Sequence, residues 1–245
     1  MRLPDFGAKV MGLAADALFP RLCPGCGNHC DRPGRYLCWS CFSGIDLFTD
    51  SLCDCCGRLA TGEVGHRFVC SACRHIKPSF DRARSAGHFT GLLQHLLHQF
   101  KYSSALWLRN DLTDLLEGCL RAHFDAEQID AVLPVPLHRL RKRQRTYNQS
   151  DLLSAELAKR LNRRNDPQSL SRIRTTGTQT RLNAIQRREN MKGAFKVTNP
   201  PMVAGRTLLL VDDVMTTGAT LDACAAALKK AGAARVWCIT VARGI

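Results

Sequence analysis

Four Cys-x-x-Cys pairs stand in the first third of the chain: Cys23/Cys26, Cys38/Cys41, Cys53/Cys56 and Cys70/Cys73, joined by stretches of 11, 11 and 13 residues. Each pair presents two thiolates from one tight turn, and two pairs supply the four sulfurs that a structural Zn²⁺ takes in tetrahedral geometry. Gly25, Gly27 and Gly57 beside the first and third pairs suit such turns. Residues 21–80 carry few large apolar side chains, so they build no core unaided, and bound metal supplies the folding energy, roughly 10 to 16 kcal/mol per site. An all-cysteine site has no open coordination position, which makes the expected role structural rather than catalytic. Spacing leaves the pairing open. Consecutive pairs sharing one ion are the simpler arrangement; interleaved pairs, or a single surviving site, are the others. Cys30 and Cys55 fall outside the pattern and read as spare thiols, and His29, His66 and His75 read as surface histidines of a type that zinc also accepts.

Ten of the 13 cysteines lie between Cys23 and Cys73, which favours metal over disulfides and hence a reducing compartment. No apolar run approaches the ~20 residues of a membrane span. The leading "MRLPDFGAKVMGLAADALFP" carries Lys9 and Asp16 where a signal peptide needs an unbroken apolar centre. A cytoplasmic protein without a membrane span is expected. The formal net charge is +14; eight thiolates and two Zn²⁺ change it by −8 + 4 = −4, to about +10. Phosphorylated small molecules and nucleic acid are both eligible partners.

Composition divides the chain into an amphipathic lead-in (1–20), the Cys-rich module (21–80) and a larger domain (81–245). In the last, apolar residues recur at helical spacing over 91–100 and 105–124, and an apolar run at 129–136 ends in prolines. A helix over 148–164 begins at cap-competent Asn148 and Ser150 and sets Leu152, Leu153, Leu157 and Leu161 on one face. A strand "TLLLVDD", a helix over 219–232 stopped by Gly232, and a strand "ARVWCITVA" follow. Strands alternating with helices predict an α/β fold around a mostly parallel sheet.

Within it, "LLLVDDVMTTGAT" sets two carboxylates between an aliphatic strand and a hydroxyl loop. "TLLLV" is apolar on both faces, as a buried parallel strand is. Asp212 and Asp213 stand at its carboxyl end, where open α/β sheets bind ligands. Two adjacent acids at a buried strand end repel unless a cation or hydroxyl donor answers them. Thr216, Thr217 and Thr220, with the backbone of Gly218 and Ala219, run into a helix whose positive end suits a phosphate. A ligand with a diol or metal for the acids and a phosphate for the loop is required; ribose 5-phosphate meets both demands. After the strand at 129–136, Arg139, Arg141, Lys142, Arg143 and Arg145 crowd five cations into seven residues, which suits a highly charged leaving group.

This stretch resembles the phosphoribosyl pyrophosphate (PRPP) signature of type I phosphoribosyltransferases, and nearly the whole chain resembles the ComF family, a zinc module followed by that transferase fold. "FKY" (100–102), "VLPVPLHRLRKRQRTYNQ" (132–149) and "TQTRLNAIQRRENMKGAF" (178–195) are similar to the family's blocks in order, with Thr146 standing where the pattern has glycine. The resemblance implies that Asp212 and Asp213 hold the ribose hydroxyls, directly or through Mg²⁺, and that Thr216 to Thr220 cradle the 5-phosphate. It places the pyrophosphate at the loop carrying Arg139 to Arg145. Residues 172–190 become a mobile flap whose contacts are Arg174, Gln179, Arg181 and Arg188.

Transferases of 6-oxopurines carry an acid where this chain has Thr216, so purine salvage is disfavoured. No residue is assigned as catalytic. Two functions follow: a PRPP-binding protein serving DNA uptake or utilisation, with single-stranded DNA and competence or DNA-processing proteins as partners, or a transferase with an unidentified acceptor. Basic clusters at 139–145, 159–164 and 172–188, with Tyr147 nearby, suit a single strand's phosphates and bases as well as they suit pyrophosphate.

Overall fold

The computed structural model describes residues 21–49, 51–60, 62, 67–137, 147–174 and 184–244. The chain divides into two compact units after Ile45. The smaller carries the first two Cys-x-x-Cys pairs and one short helix, α1 (Trp39–Ser43). The larger opens with the other two pairs and α2 (Ser71–Ile76) and continues into the sheet. The composition boundary near residue 80 and this division fall at different places because Cys53, Cys56, Cys70 and Cys73 are buried in one cluster with Phe80, Ala83, Leu208 and Val236.

Five parallel strands form the sheet: β1 (Arg82–His88), β2 (Ala131–Pro134), β3 (Arg164–Asn165), β6 (Thr207–Met215) and β7 (Arg235–Arg243), in the order β1-β7-β6-β2-β3. The short β4 (Leu170–Arg172) and β5 (Phe195–Val197) pair antiparallel in a separate ribbon. Leu208 to Val211 of β6 are wholly buried, as a central strand covered on both faces must be.

The helices are α3 (Gly91–Tyr102), α4 (Arg109–His123), α5 (Gln149–Leu161), α6 (Ala184–Met191) and α7 (Ala219–Lys230). Leu93, Leu96, Leu97 and Phe100 make the buried stripe of α3. On α5, Leu153 and Leu157 are buried, while Leu152 and Leu161 lie at the edges of the expected face. Helix α7 ends at Lys230, and Gly232 follows in the left-handed region at φ +91°. Strand β1, "RARSAGH", is not apolar enough to announce itself; its Ser85 is buried because its hydroxyl meets that of Thr240 on β7 at 2.6 Å.

Helix α4 packs on β1 and β7, and α5 packs on β2 and β6. From β2 the chain runs through α5 outward to β3; from β6 it runs through α7 the other way, to β7. The connections leaving the neighbouring strands β2 and β6 therefore run to opposite sides, and a crevice opens outside the carboxyl ends of those strands. Among the described residues, no helix is long and apolar enough to cross a membrane.

Candidate functional site

Asp212 and Asp213 stand in the carboxyl-terminal half of strand β6 at this crevice, and each has its own partner. Ser150, in the first turn of α5, donates its hydroxyl to Asp212 Oδ1 at 2.8 Å. Lys101 Nζ, near the end of α3, lies 2.9 Å from Asp213 Oδ1, with both side chains largely buried. Burial first, and then the neighbouring Asp213 charge, pushes the Asp212 carboxyl up to about 7. One cation thus answers two acids, and the arrangement favours a second positive charge or hydroxyl donors at Asp212.

The run Tyr147 to Ser150 explains how Lys101 reaches that position. The last carbonyls of a helix lack partners within it. Tyr147 donates its hydroxyl to the Phe100 carbonyl, and Gln149 Nε2 donates to the Lys101 carbonyl at 3.3 Å, so two of the last carbonyls of α3 are satisfied from the start of α5. Between them Asn148 caps α5 by accepting from Ser150 N–H at 3.2 Å, and its amide donates to the Val135 carbonyl at the end of β2 at 3.1 Å. Four consecutive side chains therefore lock α3, β2 and α5 together around the acids.

After β6, Thr216 and Thr217 bend the chain, and Gly218 precedes α7 in the left-handed region at φ +79°. Thr216 to Thr220, at the start of α7, line a cavity of about 330 Å³ together with Lys101, Asp212 and Asp213. Its volume suits a small-molecule site. Arg172 of β4 also lines it.

Of the expected flap residues, Arg174 donates to the carbonyls of Asn190 and Lys192 at 2.9 and 2.8 Å, and Arg188 lies beside α7 in a separate depression. Neither lines the acid-pair cavity. Gln179 and Arg181 lie outside the described residues, as do Arg139, Arg141, Lys142, Arg143 and Arg145, the lead-in 1–20 and His66. Sequence reasoning did not single out Lys101, Ser150 or Arg172. Lys101 sat inside the quoted "FKY", and Ser150 read only as a cap.

The cysteines form two groups by consecutive pairing. The four Sγ atoms of Cys23, Cys26, Cys38 and Cys41 lie within 4.8 Å of one another, and so do those of Cys53, Cys56, Cys70 and Cys73. Tetrahedral Zn²⁺ with bonds of about 2.3 Å spaces its sulfurs about 3.8 Å apart. The Cys26–Cys38 and Cys56–Cys70 separations are both 3.7 Å, so the residues fit the ion. Each group repeats one backbone pattern: Cys38 N–H donates to Cys23 Sγ at 3.4 Å, and Cys70 N–H to Cys53 Sγ at 3.3 Å. Cys30, Cys55, His29 and His75 belong to neither group.

The second group is wired into the sheet. At Gly57 a Cβ would stand 2.7 Å from the Ala83 carbonyl of β1, and φ is +67°, so only glycine fits this approach. Arg84 and Arg243, 6% and 7% exposed, have no carboxylate at ion-pair distance among the described residues. Arg84 donates to the carbonyls of Cys53, Asp54 and Ala83 at 3.1, 3.2 and 2.8 Å, and Arg243 donates to that of Cys56 at 2.6 Å. Four thiolates on one Zn²⁺ carry a net charge of −2, the countercharge that two buried guanidiniums require.

A parallel sheet with its acid pair at a switch point, and a cysteine-rich module holding two four-sulfur groups, define a phosphoribosyltransferase-like protein joined to a double zinc ribbon. A phosphoribosyl transferase domain model matches residues 150–245, and a double zinc ribbon domain model matches residues 14–74. Competence protein F of Haemophilus influenzae is 33% identical over 86% of this chain and 91% of its own. The DNA utilization protein YhgH of Escherichia coli O6:H1 is 33% identical over 83% of this chain and 96% of its own. Competence protein ComFC of Bacillus subtilis is 27% identical over 86% of each chain. The chain belongs to the ComF family.

Proposed function

We propose that this protein binds PRPP with Mg²⁺ at the β6 crevice and serves the uptake or utilisation of DNA. The observation that carries the binding is the pairing of two differently answered acids, Asp212 and Asp213, with a hydroxyl loop at the start of α7. The acids suit the ribose hydroxyls, directly or through Mg²⁺; the loop suits the 5-phosphate. Lys101 then offsets one of the two charges while both carboxylates remain for the ligand. The cations Arg139, Arg141, Lys142, Arg143 and Arg145, which follow β2 in sequence, are suited to the pyrophosphate. The DNA part of the proposal comes from the names of the relatives, competence protein F and DNA utilization protein, together with the positive charge of this chain.

Thermal unfolding tests the binding half. PRPP with Mg²⁺ is expected to raise the melting temperature, as any ligand of the folded state does, with ribose 5-phosphate giving part of the rise and pyrophosphate alone little. Equal melting with and without PRPP would remove the reading. A second reading, transfer of phosphoribose to an acceptor other than a 6-oxopurine, is favoured by Thr216, which stands exposed at the loop where purine enzymes have an acid. Pyrophosphate release above that of an Asp212→Asn/Asp213→Asn blank is its signature.

A further inference from the structure

A single side chain joins the second cysteine group to the hydroxyl loop. Arg243, the last residue of β7, is buried, and its Nη1 donates both to the Cys56 carbonyl at 2.6 Å and to Met215 Sδ at 3.5 Å. Its Nη2 lies 3.9 Å from Cys56 Sγ, one of the four zinc-spaced sulfurs. Met215 ends β6 and is buried beneath the loop: a Cβ on Gly218 would stand 2.7 Å from Met215 Cε. The backbone repeats the link. Gly244 N–H donates to the Met215 carbonyl at 3.0 Å, and Thr216 Cγ2 lies 3.1 Å from where a Gly244 Cβ would stand. Arg84, the other buried guanidinium, makes its bonds to carbonyls of the ribbon and β1 instead.

Cys56, Arg243, Met215 and Gly218 therefore form one contiguous path of packed groups. A path carries coupling when an element along it has two states that both ends bias. Here that element is the turn from Cys53 to Gly57. With the ion bound, four sulfurs are fixed at zinc spacing and the Cys56 carbonyl is fixed with them. Without it, nothing holds the turn at that spacing, and Arg243 loses a fixed acceptor. A buried guanidinium without its acceptor is costly, so Arg243 follows the turn or seeks water and leaves Met215. The side chain beneath Gly218 is then unsupported. A ligand that fixes the loop acts in the opposite direction, and such coupling is reciprocal.

We propose that Arg243 is a positioning residue that couples the ion held by Cys53, Cys56, Cys70 and Cys73 to the hydroxyl loop, so that this zinc and a phosphate ligand at the loop strengthen each other's binding. The inference rests on the phosphoribosyl reading for the identity of the ligand, not for the link between the turn and the loop.

Two measurements on the full chain test it. The first is zinc affinity, by competition with a chromogenic chelator, in a Cys23→Ser/Cys26→Ser background where the bound zinc is that of the second group. Saturating ribose 5-phosphate is expected to tighten zinc by roughly fivefold or more. Adding Arg243→Met brings that ratio toward one, and Arg243→Lys, which keeps the charge, restores part of it. A role confined to stability would lower zinc affinity alike with and without ligand. A ratio that Arg243→Met leaves unchanged, or ligand binding that leaves zinc affinity unchanged with Arg243 in place, overturns the proposal. The second measurement is hydrogen exchange without ligand. In zinc-loaded Arg243→Met the amides of residues 217–220 are expected to exchange faster while those of α5 do not. If ribose 5-phosphate fails to bind, the phosphoribosyl reading falls and exchange decides: faster exchange in the loop keeps the link, and unchanged exchange overturns it. Should both Arg243 variants fail to fold, the chain with Arg243 in place decides, through the affinity ratio and through loop exchange before and after zinc withdrawal; no change in either overturns the coupling.

Discussion

At the scale of single residues, the two acids differ although they are neighbours. Asp213 has Lys101 at 2.9 Å, whereas Asp212 has a neutral hydroxyl and is held up to about 7 by burial and by Asp213. An unfolded aspartate titrates near about 3.9. The folded protein therefore holds the Asp212 proton more tightly than the unfolded chain does. Its contribution to stability is full below about pH 4 and is lost as pH rises to about 7. In Mg²⁺-free buffer with zinc retained, stability attributable to this group is expected to fall across that window, and Asp212→Asn to remove the slope. Melting curves at several pH values check this, and an unchanged slope in the variant would contradict it.

At the scale of elements, β6, α7 and β7 were legible because each carries its own periodicity and stop signal, Gly232 among them. The acid pair and the hydroxyl loop were legible for the same reason: strand, ligand groups and helix are contiguous in sequence. β1 was not, since "RARSAGH" is buried through partners far along the chain, Thr240 for Ser85 and the Cys53 and Asp54 carbonyls for Arg84. Lys101 was illegible as a site residue because its position depends on Tyr147 and Gln149, which hold the carbonyls of Phe100 and Lys101 itself. The α4–α5 pairing has a similar non-local pin. Arg160 lies 2.7 Å from Asp114, 3.2 Å from Glu117 and 3.1 Å from Glu156. Arg160→Met leaves three carboxylates without their shared cation and is expected to cost about 2 kcal/mol at neutral pH, less than a fully buried pair because the site is partly solvated. Denaturant unfolding measures it, and a smaller loss in acid, where the carboxylates are protonated, is part of the expectation.

At the scale of the whole molecule, the two cysteine groups have different dependants although their spacing looks alike. The first lies in the small unit before Asp46; the second is part of the core of the larger unit, and the carbonyls of its Cys53 and Cys56 accept from Arg84 and Arg243. Two zinc ions per chain are expected by elemental analysis, and one in either Cys23→Ser/Cys26→Ser or Cys53→Ser/Cys56→Ser. The second pair of substitutions is expected to lower the melting temperature of the larger unit and the first to leave it largely unchanged, because only the second strands buried guanidiniums. Equal effects would show that the second group is not integral to the sheet.

If the acid pair and the hydroxyl loop form one phosphoribosyl site, PRPP binding depends on the acids. Calorimetric titration of PRPP into zinc-loaded protein in Mg²⁺, beside Asp213→Asn checked for retained zinc and fold, tests it most directly. A saturable site is expected in the unaltered protein, with a loss of about tenfold or more in the variant, the scale of one charged hydrogen-bonding group. Unchanged affinity in Asp213→Asn would contradict it.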